Sequence, residues 1–122
     1  MFGSNWSASE KKIARRVFDT ALARELAEVM REFKERASAA RTPKEMWAVE
    51  KFLAAARWQI DSTYDYRYSQ LERVFGRLLR EDQITDKDLE GLSEDKLGTI
   101  RSIATLGGGS GTLPKRENSP EG

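Results

Sequence analysis

From Ile13 onward, apolar residues return every three or four positions: Val17, Ala21, Leu22, Leu26, Val29, Met30, Phe33, Ala37 and Ala40. This is the period of a helix with one apolar face, sustained over about eight turns. Lys11, Lys12, Arg15, Asp19, Glu28, Arg31 and Glu35 fill the opposite side. Just ahead of the stripe, Ser7 and Glu10 have the spacing of a capping box, in which each side chain satisfies the other's backbone amide. The pattern predicts a first helix over 9–40. A second start follows at once, with Thr42 at the cap, Pro43 at the first helical position and Glu45 in the first turn.

The second stripe runs through Met46, Val49, Phe52, Leu53, Ala56 and Ile60, and resumes at Leu71, Val74, Phe75, Leu78 and Leu79. Aliphatic residues vanish over 61–70. That gap is a polar section of one long helix, a kink, or a joint between two helices, and the pattern admits all three. Unbroken from 43 to 80, the helix would be about 57 Å long at 1.5 Å per residue. Two short elements follow, one opened by Thr85 and ended by Gly91, the other opened by Ser93 and carrying Leu97, Ile100, Ile103 and Leu106. With no strand pattern anywhere, the expected fold class is all-α. The architecture is a long antiparallel helical hairpin, a stalk over about 9–80, with a small C-terminal helical head over about 81–106. Residues 1–106 form one domain, and the Gly-rich stretch 107–122 reads as a disordered tail. A two-helix hairpin cannot enclose a core, so Trp47, Phe52 and Trp58 need cover from another chain. Hairpin against hairpin in an isologous dimer is the simplest closure.

Composition narrows the chemistry. The 122 residues include no His and no Cys, with 21 Lys and Arg against 20 Asp and Glu. Ser-His-Asp and Cys-His nucleophiles, imidazole or thiolate zinc sites and disulfides are therefore excluded. A net charge of +1 is not the field of a nucleic-acid binder. No apolar run approaches a membrane span and no signal pattern opens the chain, so the expected location is the cytoplasm.

Most candidate functional residues fall on the second helix. Trp47, Glu50, Lys51 and Arg57 lie on successive turns, with Arg57 one turn from Asp61. Trp and Arg supply much of the energy in protein interfaces, so this stretch reads as a docking patch or as a dimer core flanked by ion pairs. Asp61 and Asp65 share a helical face, yet two carboxylates without a third acid make a poor metal site; no metal and no cofactor is expected. In Tyr64-Asp65-Tyr66-Arg67-Tyr68, a helix would place Tyr64 and Tyr68 together and Tyr66 elsewhere, which forms no stacking platform. An enzyme reading takes one concrete form. Arg57, Ile60 and Asp61 followed by the Leu-rich stripe are loosely similar to the first helix of all-α chorismate mutases, which need several cations converging on a dicarboxylate.

Taken in order, Trp6-Ser7, Glu10, Phe18, Arg24-Glu25-Leu26, Met46-Trp47, Phe52-Leu53, Arg57, Ile60-Asp61, Tyr64-Asp65, Val74-Phe75, Leu78-Leu79 and Asp95-Lys96 resemble the cyanobacterial fluorescence recovery protein family. The run 47–65 is the most specific part. The resemblance implies an all-helical dimer with no enzymatic activity. Such a protein binds the photoactivated red form of the orange carotenoid protein, hastens its return to the orange resting form and helps release it from the phycobilisome. It would be cytoplasmic, reaching the thylakoid surface only through its partner. The family's functional patch centres on a Trp, a neighbouring His-Asp pair and an Arg. Trp47 and Arg57 match it, Glu50 stands where the His is usual, and Lys51 stands where the Asp is usual. Arg73 occupies a position that is aromatic in the founding type, and Thr99 replaces a basic residue. An acid-to-Lys change at position 51 reverses the sign of the attraction for a partner surface. The same scaffold serving as adaptor for a different signalling protein, in a bacterium without phycobilisomes, is the second reading.

Overall fold

The computed structural model of the protein describes residues 5–111. Four α-helices follow one another, α1 (Ala8–Ala39), α2 (Pro43–Thr63), α3 (Leu71–Arg80) and α4 (Glu94–Gly111), with a short 3-10 turn at Lys87–Leu89 between the last two. No strand occurs among the described residues, so the all-α expectation holds. The gap at 61–70 resolves as a joint between two helices: α2 stops at Thr63, residues 64–70 are irregular, and α3 begins at Leu71. There is no unbroken rod from 43 to 80.

The helix starts form where their caps stand. The Ser7 amide donates to Glu10 Oε1 at 3.0 Å and the Glu10 amide donates to Ser7 Oγ at 3.1 Å, completing the capping box. At α2 the Glu45 amide donates to Thr42 Oγ1 at 3.1 Å while Glu45 Oε1 accepts from the Arg41 amide at 2.6 Å. Ser93 Oγ accepts from the Lys96 amide at 3.2 Å and opens α4.

The described residues divide into two compact units. One unit comprises residues 5–18 together with 66–111; the other comprises residues 19–65. α3 belongs with the first unit because its apolar face packs on α4 instead of prolonging the hairpin. Leu71, Val74, Phe75 and Leu78 of α3 are fully buried, alongside Leu89 and Ile100; Trp6, Ala14, Val17 and Phe18 are also buried. At Gly76 of α3 an added Cβ would lie 2.5 Å from Ile103 Cγ2 of α4, so the two helices approach closely there. Gly91, at φ +105°, takes a left-handed turn next to Ile13 that an L side chain disfavours.

The second unit is an antiparallel hairpin, α1 from residue 19 against α2. Tyr64 Oη donates to Glu25 Oε2 at 2.6 Å near one end, and the Arg36 guanidinium lies 4.3 Å from the Phe52 ring centre nearer the turn. Ion pairs Arg31–Glu35 (2.7 Å) and Arg36–Glu32 (2.7 Å) lace the outside of α1, where Arg31 also pairs with Glu28. α4 continues to Gly111, overlapping the start of the stretch read as a tail; residues 112–122 of that stretch lie outside the described residues.

Candidate functional site

Two facing amphipathic helices leave a groove between them. In the second unit this groove has a volume of about 880 Å³. α1 supplies Leu26, Val29 and Met30; α2 supplies Glu50, Leu53, Ala54, Ala56, Arg57, Trp58, Ile60 and Asp61. Its floor is aliphatic and its charges all come from α2, two carboxylates against one guanidinium. Arg57 Nε lies 3.7 Å from Asp61 Oδ2, with the two side chains 85% and 69% exposed, a loose pair in water. Such a pair holds its partners weakly and leaves both available to a docking surface. Trp58 is 69% exposed.

Of the residues singled out in the sequence, the structure brings Glu50 and Arg57 together in the groove, with Asp61 beside them. Trp47, 60% exposed, and Lys51 lie on the same helix but are not among the groove's lining residues. Arg73 is in the other unit, on α3, where its Nε donates to Gln70 Oε1 at 2.8 Å. Thr99 is exposed on α4. Trp58, which the sequence pattern marks only as a residue in need of cover, lines the groove. Its spacing held the signal: Trp47 and Trp58 are eleven positions apart, about three helical turns, so both indoles fall on one side of α2.

The tyrosine run is also corrected. Residues 64–70 are not helical, and the rings of Tyr66 and Tyr68 meet at 5.6 Å between centroids instead of pointing apart.

The groove presents apolar side chains beside exposed charges, a surface on which another molecule can dock. Its one lining cation, Arg57, does not make the convergence of several Arg and Lys that a chorismate mutase needs. Among the described residues no cluster of three or more acids is placed to hold a metal ion, and no helix is long and apolar enough to cross a membrane.

Known proteins share this sequence and this fold. Residues 6–104 match the family described as photoprotection regulator fluorescence recovery protein. The fluorescence recovery protein of Synechocystis sp. (strain ATCC 27184 / PCC 6803 / Kazusa) is 34% identical over 101 residues, spanning 83% of this chain and 93% of that protein. The solved structure of the Fremyella diplosiphon fluorescence recovery protein superposes with a TM-score of 0.80 at 33% identity, covering 83% of this chain and 99% of its own. That of the protein from Synechocystis sp. PCC 6803 gives 0.80 at 33% identity, covering 84% and 100%. These relatives are named as regulators, not as enzymes. This chain, with its joint at 64–70 and its open hairpin groove, belongs to the fluorescence recovery protein family.

Proposed function

We propose that the protein binds the photoactivated form of the orange carotenoid protein in the cytoplasm and speeds its return to the resting form, ending photoprotective quenching. It does so without a cofactor. The observation that carries this reading is Trp47, exposed on α2 and outside the groove lining, with the guanidinium of Arg57 85% exposed on the same helix, in a chain of a photoprotection-regulator family. Indole and guanidinium groups are the side chains that dominate binding energy at interfaces, and here they are displayed rather than buried. Glu50 and Lys51 complete the docking patch on α2, and Arg73 offers a further cation on the other unit. A regulator of this kind binds a conformer on the return path more tightly than the active one, which lowers the barrier without any chemical step. The protein acts as a homodimer, because the hairpin's apolar side chains need a second chain to cover them.

The test follows the red-to-orange decay of photoactivated orange carotenoid protein after mixing with this chain. We expect faster decay that saturates with added protein. Arg57→Ala should lower the acceleration by about ten-fold, since a hot-spot Arg contributes on the order of 1–2 kcal/mol. No acceleration at micromolar excess would remove this reading. It would favour the second reading, an adaptor for a different signalling protein, which the reversed charge at Lys51 already supports.

A further inference from the structure

The break between α2 and α3 is announced by neither helix. α1, α2 and α4 each open on a side-chain cap, from Ser7, Thr42 and Ser93. α3 does not: Gln70 sits at its N-cap and makes no side-chain capping bond. α2 ends without a glycine, at a Tyr64 with φ −96° and ψ 89°, and carries no basic residue in its last turn. Residues 64–70 contain neither Gly nor Pro. Helical bonding reaches the segment from both sides, since the Tyr64 amide donates to the Ile60 carbonyl at 2.9 Å and the Val74 amide to the Gln70 carbonyl at 2.9 Å. The local sequence supplies no stop signal of the kind helices ordinarily use.

Tertiary contacts supply one instead. In the first unit, the Arg15 guanidinium lies 3.6 Å from the Tyr66 ring centre, and Phe18 meets the same ring edge-on at 4.8 Å. Tyr68 packs 5.9 Å from Trp6, with Lys11 Nζ 5.1 Å from its ring centre. Lys11, Arg15 and Phe18 rise along one stretch of α1. On a helix, Tyr66 and Tyr68 would project about 200° apart and could not both lie against it. Ring contacts and a continuous helix are therefore mutually exclusive in this segment.

We propose that residues 64–70 are a helix-competent segment held irregular by this cation-and-ring clasp, so that releasing the clasp lets helix propagate from α2 through to α3. Helix is already nucleated on both sides, so the switch needs only propagation, without the costly first turn. The two conformers are alternatives of one chain, and whatever draws Lys11 and Arg15 away from the rings shifts the balance to the helical one. The proposal does not depend on the identity of the partner protein.

The test replaces Lys11 and Arg15 by Gln together, which removes both cations and leaves the sequence of 64–70 untouched. Carbon-13 α shifts and amide exchange of that segment are then read by NMR in the full chain. We expect the shifts to move to the helical side and exchange to slow by about ten-fold. Adding Arg67→Pro, which has no amide to donate and breaks a helix, should return the shifts to irregular values. Unchanged shifts in the double variant overturn the proposal, and so does movement to coil values with faster exchange. Methyl signals of Leu78 and Ile100 report whether the core remains folded. Should the double variant unfold, Lys11→Gln alone carries the same reading, with a smaller shift in the same direction expected and its absence overturning the clasp.

Discussion

The carboxylate of Glu10 serves the starts of two helices at once. Oε1 accepts from the Ser7 amide at the head of α1, and Oε2 accepts from the Ser93 amide at 2.8 Å, 83 positions away, at the head of α4. Lys96 Nζ reaches Oε1 at 3.3 Å and also donates to the Asn5 carbonyl at 2.5 Å. Both side chains are buried, so the pair works in a medium where an unmet charge is expensive. The Ser7 amide holds the Glu10 carboxyl below its ordinary value of 4.5, aided by the Ser93 amide and Lys96 and opposed by burial. A depressed carboxylate pKa contributes stability that is present above the unfolded value and is lost as pH falls through the folded one. Glu10→Gln should therefore lower stability by about 1–3 kcal/mol at pH 7. Urea midpoints measured from pH 7 down to pH 3 should show the gap between the two proteins closing below about pH 4.5. A gap that stays constant across that range would mean the charge contributes nothing.

At the scale of elements, two glycines on neighbouring helices predict opposite outcomes for one substitution. Gly76 of α3 faces Ile103, and a Cβ there would lie 2.5 Å from Cγ2 and 3.2 Å from the Ile100 carbonyl oxygen, so Gly76→Ala forces α3 and α4 apart. The expected cost is about 1–3 kcal/mol. Gly98, in α4, has nothing within 4 Å of an added Cβ. Gly98→Ala should stabilise by about 0.5–1 kcal/mol through reduced backbone freedom alone. Thermal or urea melts of the two variants should move to opposite sides of the parent. The helices themselves were legible in the sequence because their causes are local. Ser7 with Glu10, Thr42 with Pro43 and Glu45, and Ser93 each announce a start, and the stripes give the buried faces. The break at 64–70 was legible only as one of three readings of the gap, because the choice among them rests on contacts that Lys11, Arg15 and Phe18 make with Tyr66 and Tyr68 from some fifty positions away. Periodicity within a window cannot register such contacts. The same limit hid the placement of α3, whose apolar face reads equally well as a continued stripe or as a partner for α4. At the groove, Glu50 and Arg57 were legible from hot-spot chemistry on one helix. The share of α1, through Leu26, Val29 and Met30, depended on which residues the hairpin sets opposite one another.

Across the whole molecule, burial is unevenly distributed. The first unit buries Phe75, Leu71, Leu78, Leu89 and Ile100 completely. In the second, residues 19–65, Ala21 and Thr63 are the buried side chains, while Leu26, Met30, Met46, Trp47, Leu53 and Trp58 are each at least 39% exposed. Full burial of a large apolar side chain is worth about 1.5–3 kcal/mol, so covering several of these favours association strongly. If a second copy covers them, folding and association are linked, and the melting temperature should climb as protein concentration is raised. Leu53→Glu places a charge in the groove and should yield a species of half the mass by light scattering, with a melting temperature independent of concentration. Trp47 then separates the two demands on α2. It is outside the groove lining yet on the same side of the helix as Trp58, so Trp47→Ala has one of two readable outcomes. Should the indole pack against the second copy, the variant will dissociate at concentrations where the parent stays paired, and slower recovery of the photoprotein will follow from that loss. Should it meet the partner, mass and melting temperature will match the parent while recovery alone slows. We expect the second outcome, because Trp47 is not among the residues that line the groove. Scattering and recovery measured on one preparation decide between them, and a Trp47→Ala protein that is monomeric at every concentration would transfer Trp47 from the docking patch to the dimer core.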